Sequence, residues 1–170
     1  MKFSIENNQK VWIFAVLASA IVSFTFLNAY PISILDEAKN AEAAREMWES
    51  GNYWVPTFND ELRTDKPPLH YYFMLLGFKL LGTTVLGARF FSAVMGFVML
   101  LTTFGFARRH LGKDVAQTTL LILVGSFFFM QEFHLAVPDP YLIAFVTLGL
   151  FSFYHFYVTK KFLYLVLFYF

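Results

Sequence analysis

Three aspartates that stand far apart in the sequence could act together. Asp36 follows the first long apolar run, Asp65 precedes Pro67, and Asp139 opens a later apolar run. Carboxylates that converge from separate elements can bind a divalent cation, so Asp139 and Asp65 are candidate ligands for Mg²⁺, Mn²⁺ or Zn²⁺. Each aspartate also has an ordinary structural explanation, because Asp is a favoured helix N-cap.

Basic side chains lie close to these acids in the sequence and could bind a phosphate. Arg63 and Lys66 belong to a polar segment that leads into Pro67 and Pro68. Lysine offers a point charge and arginine a planar fork, the two usual ways of holding a phosphate. Arg89, near the start of a later apolar run, could reach the same anionic group. The alternatives are contacts with lipid phosphates or neighbouring carboxylates, and snorkelling of Arg89 to the membrane interface.

Several kinds of chemistry have no residues to support them. The sequence has no cysteine, which removes disulfides, thiolate metal sites and a thiol nucleophile. It also has no P-loop, dinucleotide fingerprint, HExxH or GxSxG element, so an NTPase, a metalloprotease or an esterase is not indicated. No nucleic-acid partner is expected.

The composition places the candidate residues in a membrane protein. The 170 residues are 58% hydrophobic and 21% aromatic but only 15% charged. The 23 Phe and 9 Tyr residues exceed what a soluble domain of this length could bury. Membrane lipid is therefore the expected partner of the apolar runs, and the expected fold class is an all-α polytopic membrane protein.

Four apolar runs are long enough to cross the ~30 Å of hydrocarbon in a bilayer. A fifth run, residues 162–170, is too short to cross alone at ~1.5 Å per residue, which predicts a truncated fifth span and a chain that ends inside a membrane helix. The four predicted complete spans cover residues 11–35, 84–107, 115–131 and 137–158.

Residues 36–82 form the longest segment between predicted spans. Residues 36–50 are rich in alanine, acidic at their start and followed by a glycine, which predicts a helix beside the membrane. Residues 67–81 begin with two prolines and contain His70 and Lys79. This pattern predicts a helix that lies in the membrane interface and does not cross the bilayer.

The basic clusters support this topology. If residues 67–81 stay in the interface, every cluster falls on one side, which the positive-inside rule makes cytoplasmic. The N-terminus is then cytoplasmic, whereas residues 36–82 and Asp139 face the extracytoplasmic side. The clusters are Lys2 with Lys10, Arg108-Arg109-His110 with Lys113, and Lys160-Lys161.

Short motifs follow one another along the chain in a characteristic order. They are Asp36-Glu37, Arg45-Glu46-Met47, Gly51-Asn52-Tyr53-Trp54-Val55-Pro56, Asp65-Lys66-Pro67-Pro68-Leu69, Gly87-Ala88-Arg89 and Asp139-Pro140. In this order they resemble the N-terminal part of the GT-C glycosyltransferases of the protein O-mannosyltransferase and aminoarabinose transferase type. The resemblance covers essentially the whole chain, and it is the ordered set, more than any one motif, that is specific.

The resemblance implies an integral enzyme of the bacterial plasma membrane. Such an enzyme takes a sugar from a polyprenyl-phosphate carrier and transfers it, with inversion, to an extracytoplasmic lipid, cell-surface glycan or protein. The resemblance implies that Asp36 is the base or positions the acceptor, with Glu37 as a second catalytic candidate, and that Lys66 binds the carrier phosphate. Asp65 matches an acidic neighbour of that lysine, where the aminoarabinose transferases have Glu. Asp139 matches a second acidic position.

Members of this family have many more spans, so the resemblance predicts that residues 1–170 are the N-terminal portion of a larger transmembrane domain. The alternative is a non-catalytic protein: a transporter or flippase for lipid-linked substrates, or an assembly subunit. Transporters place ionisable groups near the midplane and are built from repeats. Here the charges lie at one mouth of the predicted spans and no repeat is visible, which favours the glycosyltransferase.

Overall fold

The computed structural model describes residues 2–33 and 35–169, with side chains described from residue 9 onward. The described chain is mostly helical. The helices are α1 (Lys2–Phe24), α2 (Asp36–Ser50), α3 (Leu69–Leu81), α4 (Val85–His110), α5 (Lys113–Val124), α6 (Phe127–Phe133), α7 (Asp139–Thr159) and α8 (Phe162–Tyr169), and the strands are β1 (Thr57–Phe58) and β2 (Glu61–Leu62).

The helix lengths confirm a polytopic helical protein and leave the number of spans open. Within the described residues, α4 and α7 are long and apolar enough to cross a membrane, and α5 with α6 would make a third span if this bent pair counts as one. The apolar part of α1, Gln9–Phe24, is shorter. The count of four complete spans and a truncated fifth therefore stays a prediction.

The first helix ends earlier than its apolar sequence predicts. The run suggests a span to residue 35, but α1 ends at Phe24 and the chain turns at Phe26, whose φ is 64°. The carbonyls at the end of a helix need donors from elsewhere. Here Arg89 donates to the carbonyl oxygens of Leu27, Tyr30 and Pro31, which holds this segment in a non-helical path.

The predicted third span, residues 115–131, is broken. Helices α5 and α6 meet at an angle of 64°. The break falls at Gly125 and Ser126, a pair that commonly allows a sharp kink. Ser126 then begins α6 as its N-cap, with its side-chain oxygen accepting from the backbone N–H of Phe129.

The loop predicted between α2 and α3 contains a small antiparallel hairpin, which is the one departure of the described chain from an all-α fold. Thr57 pairs with Leu62, and the turn residues Asn59 and Asp60 have φ values of 54° and 62°. Glu46 of α2 accepts hydrogen bonds from the Thr57 hydroxyl at 2.5 Å and from the Asn59 backbone N–H at 2.7 Å. The hairpin is therefore attached to α2.

Helix α4 lies at the centre of the fold and packs against α1, α3, α5, α6 and α7. Small residues allow close approach: Ala15, Ser19 and Ser23 of α1 are all fully buried. At the α3–α4 contact, a Cβ added to Gly77 would lie 2.0 Å from the carbonyl oxygen of Gly87. Only glycine lets these two backbones come so close.

The two ends of the helix bundle differ in chemistry. At one end, polar contacts join the segment after α1, the start of α4 and the link before α7. At the other end, the His110 ring at the end of α4 lies 4.9 Å from the rings of Tyr154 and His155 near the end of α7. This end carries the basic residues in the last turn of α4 and those that follow α7, so these two clusters share one end of the bundle, as the sequence predicts.

Candidate active site

Asp36 and Lys66, thirty residues apart, form an ion pair at the polar end of the bundle. Lys66 Nζ donates to Asp36 Oδ2 at 2.9 Å, and the Asp36 side chain is 59% exposed. The hydrogen bond from Lys66 lowers the pKa of Asp36 below its usual value. The same bond raises the pKa of Lys66, and the charges of Asp65 and Asp139 add to that rise. Asp36 is thus an accessible, ionised carboxylate beside a fixed cation.

Glu37, the next residue, is buried and holds the start of α2 in place. Its carboxylate forms a two-point ion pair with Arg89 of α4, with distances of 2.6 Å from Nε to Oε1 and 2.8 Å from Nη2 to Oε2. The two side chains are only 1% and 4% exposed. Glu37 also accepts from the backbone N–H groups of Ser33 at 2.6 Å and Ala136 at 2.9 Å. One carboxylate therefore joins the segment before α2, helix α4 and the link before α7.

The contacts of Glu37 and Arg89 are all with protein groups, and the roles that the sequence suggests for them stay predictions. A guanidinium has five N–H donors. Two of the N–H groups of Arg89 donate to the Glu37 carboxylate, and the other three donate to the carbonyl oxygens of Leu27, Tyr30 and Pro31. No N–H of Arg89 is left for a carrier phosphate, and the Glu37 carboxylate is enclosed by protein donors. The pair holds the start of α2, where Asp36 lies, against α4.

Arg63 is likewise buried, and it connects the loop between α2 and α3 to both of these helices. Its Nε donates to the Tyr71 hydroxyl of α3 at 2.8 Å and its Nη2 donates to Asn40 Oδ1 of α2 at 2.9 Å. Asp65 Oδ1 lies 3.2 Å from the same Nε. Because Arg63 anchors the chain just before Lys66, it fixes the position of the phosphate candidate. Nothing in the sequence motifs marks Asn40 or Tyr71, which carry no charge.

The predicted metal ligands do not form a metal site by themselves. Asp65 is engaged with Arg63, and Asp139, at the start of α7, lies close enough to raise the pKa of Lys66. Among the residues whose side chains are described, no group of three or more His, Cys, Asp or Glu residues could hold a metal ion. The need for a metal therefore stays a prediction.

A model of the dolichyl-phosphate-mannose-protein mannosyltransferase family matches residues 65–170 of the chain. The chain belongs to this family. The matched region contains Lys66, Arg89 and Asp139, whereas Asp36 and Glu37 precede it.

Several proteins are similar in sequence to most of this chain. An uncharacterised protein of Aquifex aeolicus is 34% identical over 153 residues, which is 89% of this chain and 31% of that protein. An undecaprenyl phosphate-alpha-4-amino-4-deoxy-L-arabinose arabinosyl transferase of Edwardsiella ictaluri is 34% identical over 119 residues, 69% of this chain and 22% of that enzyme. The chain thus spans less than a third of the length of these two relatives.

Solved structures match the fold. The crystal structures of ArnT from Cupriavidus metallidurans, in the apo state and bound to undecaprenyl phosphate, each superpose with a TM-score of 0.75 and 26% identity. The superposition covers 82% of this chain and 26% of ArnT. The resemblance to the N-terminal part of the GT-C glycosyltransferases is confirmed, and the chain is part of an integral membrane protein.

Proposed function

We propose that the protein containing this chain is an inner-membrane glycosyltransferase. It transfers a sugar from a polyprenyl-phosphate carrier to an extracytoplasmic acceptor, which is a lipid, a cell-surface glycan or a protein. The N-terminus lies in the cytoplasm, and the Asp36–Lys66 end of the bundle faces outward. The observation that carries this proposal is the exposed Asp36 carboxylate held 2.9 Å from Lys66 in a chain of this family.

The chemistry requires a base and a cation within reach of each other. Asp36 accepts the proton of the acceptor hydroxyl, and the resulting oxygen attacks the anomeric carbon of the sugar. The bond from that carbon to the phosphate oxygen breaks on the opposite face, so the configuration inverts. The polyprenyl phosphate leaves with the bonding electrons, and the Lys66 ammonium stabilises its negative charge.

The ion pair also allows binding of the donor to change the basicity of Asp36. In the structure, the hydrogen bond from Lys66 lowers the pKa of Asp36 and so weakens it as a base. A carrier phosphate that binds Lys66 competes for the same ammonium. Asp36 then loses the bond that lowers its pKa and becomes a stronger base when the donor is bound.

Asp36→Asn in the complete protein tests the assignment. The change keeps the size of the side chain and removes its basicity, so transfer of sugar from the lipid carrier should fall at least ~100-fold, the scale of general-base catalysis. Asp60→Asn, the same change at an exposed residue of the neighbouring hairpin turn, is the matched control and should keep activity. Normal transfer by the Asp36→Asn protein at normal membrane levels would refute the role of Asp36. Movement of the lipid-linked sugar across vesicles without transfer would favour the transporter alternative.

A further inference from the structure

A cavity of about 290 Å³ lies between α4, α7 and α8. The rings of Phe106 in α4 and Phe151 in α7 stack with their centroids 4.1 Å apart and form part of its wall. The cavity is near the end of α4, whereas Asp36 and Lys66 lie at the end of the bundle where α4 begins. It is therefore separate from the candidate active site.

Polar side chains from all three helices lie at the mouth of this cavity. Arg109 belongs to the last turn of α4 and is exposed. His155 lies one turn before the end of α7, and its ring stacks on that of Tyr164 in α8 with the centroids 5.1 Å apart. Among these side chains the guanidinium of Arg109 is the strongest group for holding an anion.

The interior of the cavity is mostly apolar and runs along the bundle axis. Leu148 lies seven residues before His155 in α7, which places it about 10 Å deeper at ~1.5 Å per residue. Helix α8 runs back alongside α7, because Phe168 comes within 3.7 Å of a Cβ built on Gly149. Leu167 of α8 therefore lines the deep part of the cavity, away from the mouth.

The charge at the mouth indicates what kind of molecule fits. No carboxylate is among the residues named as lining the cavity, and Asp114 at the start of α5 lies at this end without lining it. An apolar slot with a cationic mouth suits an amphiphile that has a hydrocarbon chain and an anionic head. Basic pockets between membrane helices on the cytoplasmic side are typical sites for anionic lipid headgroups. The basic residues around the mouth are Arg108, Arg109, His110, Lys160 and Lys161.

We propose that this cavity binds an anionic phospholipid of the inner leaflet. Its phosphate accepts hydrogen bonds from Arg109, and one acyl chain lies in the slot between α4, α7 and α8. In the proposed orientation this end of the bundle is cytoplasmic, so the headgroup and the acyl chain meet the cavity at the depths where the bilayer places them. The site takes no part in the proposed sugar transfer, and its occupancy can be measured without catalysis.

Native mass spectrometry of the complete protein in detergent, titrated with lipids of equal chain length, tests the headgroup contact. The probes are dioleoyl-phosphatidylglycerol, dioleoyl-phosphatidylethanolamine and dioleoylglycerol. The wild type should bind phosphatidylglycerol at least tenfold more tightly than dioleoylglycerol, which lacks the phosphate, and at least threefold more tightly than phosphatidylethanolamine, whose ammonium cancels the phosphate charge. Equal binding of phosphatidylglycerol and dioleoylglycerol, or of the two phospholipids, would overturn the proposal.

Arg109→Gln removes the charge from an exposed side chain. Binding of phosphatidylglycerol should weaken at least tenfold, because a charge-assisted hydrogen bond is lost, while binding of dioleoylglycerol stays unchanged. Lys161→Gln is the matched control, since it removes one charge from the same end of the bundle without touching the cavity lining. It should weaken phosphatidylglycerol less than about fivefold, the effect of one basic residue near a lipid surface. Equal losses in the two variants would show only a general attraction to the basic end and would refute the site.

Two measurements test the acyl slot. Ser152→Leu enlarges a half-buried side chain of the lining and should weaken phosphatidylglycerol and dioleoylglycerol alike by at least tenfold, whereas Ser152→Ala should bind within about threefold of the wild type. In the wild type, dihexanoyl-phosphatidylglycerol, whose chains are too short to fill a slot about 10 Å long, should bind at least tenfold more weakly than the dioleoyl lipid. Insensitivity to chain length would mean that no acyl chain enters, as when a later segment of the complete protein fills the slot.

Competition separates a lipid from a soluble phosphate. Inorganic phosphate and glycerol 3-phosphate at millimolar concentration should leave dioleoyl-phosphatidylglycerol bound, because neither supplies a chain for the slot. Displacement by either compound would assign Arg109 to a soluble phosphate ligand and would overturn the lipid site.

Discussion

The buried Glu37–Arg89 pair is the most consequential contact between individual residues. It joins residues 52 positions apart and places the adjacent Asp36 at the surface beside Lys66. A buried ion pair is not by itself a strong source of stability, because both charges have lost their water. Removing one partner is costly, however, since the other charge then stays buried alone.

Glu37→Gln should therefore lower the free energy of unfolding by roughly 3–5 kcal/mol, because the Arg89 charge is left without its counter-charge. Thermal unfolding in detergent, followed by tryptophan fluorescence, measures the effect. Glu42→Gln on the same helix is the control: Glu42 pairs with Arg45 at 2.5 Å, but both side chains are substantially exposed. Such surface pairs contribute about 0–1 kcal/mol. Equal losses in the two variants would contradict the buried-pair interpretation.

The pH dependence of activity tests the influence of Lys66 on Asp36. Because the hydrogen bond from Lys66 lowers the pKa of Asp36, the base stays ionised to a lower pH than a free Asp. Its contribution to stability has the same sign: it is present above the unfolded-state pKa and is lost as pH falls through the folded-state pKa.

Lys66→Met should move the acid limb of the profile of kcat/KM against pH to higher pH, because this profile reports the free enzyme. The control is Lys39→Met, since Lys39 has the smallest of the named effects on the pKa of Asp36. An acid limb that stays in place in Lys66→Met, despite a lower rate, would separate Lys66 from the ionisation of Asp36.

At the scale of elements, the sequence predicts where helices form better than where they stop. The helix at 36–50 has the predicted bounds, and the predicted 67–81 helix is observed as Leu69–Leu81. The end of α1 depends on hydrogen bonds from Arg89, about sixty residues away, and no local pattern reveals such a contact. The candidate site was also only partly predictable. The order of the motifs predicts that Asp36 and Lys66 belong to one site, whereas no sequence pattern predicts that Glu37 pairs with Arg89.

The α3–α4 contact gives a prediction at this scale. Gly77→Ala should destabilise the protein by more than the ordinary 1–3 kcal/mol of overpacking, because the new methyl meets a backbone carbonyl only 2.0 Å away and the helices must separate. Gly149→Ala in α7 is the matched control. Its methyl would lie 3.7 Å from Phe168, an ordinary contact, and alanine is the better helix former. A fall in the unfolding temperature of Gly77→Ala no larger than that of Gly149→Ala would contradict the close packing.

Across the whole molecule, charge is separated along the bundle axis. Asp36, Lys66 and Asp139 gather at the end where α4 begins, and the basic residues in the last turn of α4 and after α7 lie at the opposite end. In the proposed orientation, the positive residues lie on the cytoplasmic side and the carboxylates face the extracytoplasmic side, as the positive-inside rule predicts.

Cysteine labelling measures this orientation cleanly, because the 170 residues contain no native thiol. Glu61→Cys, in the exposed part of the hairpin, should react with a membrane-impermeant maleimide added to intact cells. Lys161→Cys, exposed between α7 and α8, should react only after the membrane is permeabilised. Both thiols should label equally in denaturant, which controls for reactivity. Labelling of Lys161→Cys from outside would contradict this topology. Lys161 would move to the outer side if residues 69–81 crossed the bilayer, or if the bent pair of α5 and α6 did not cross it.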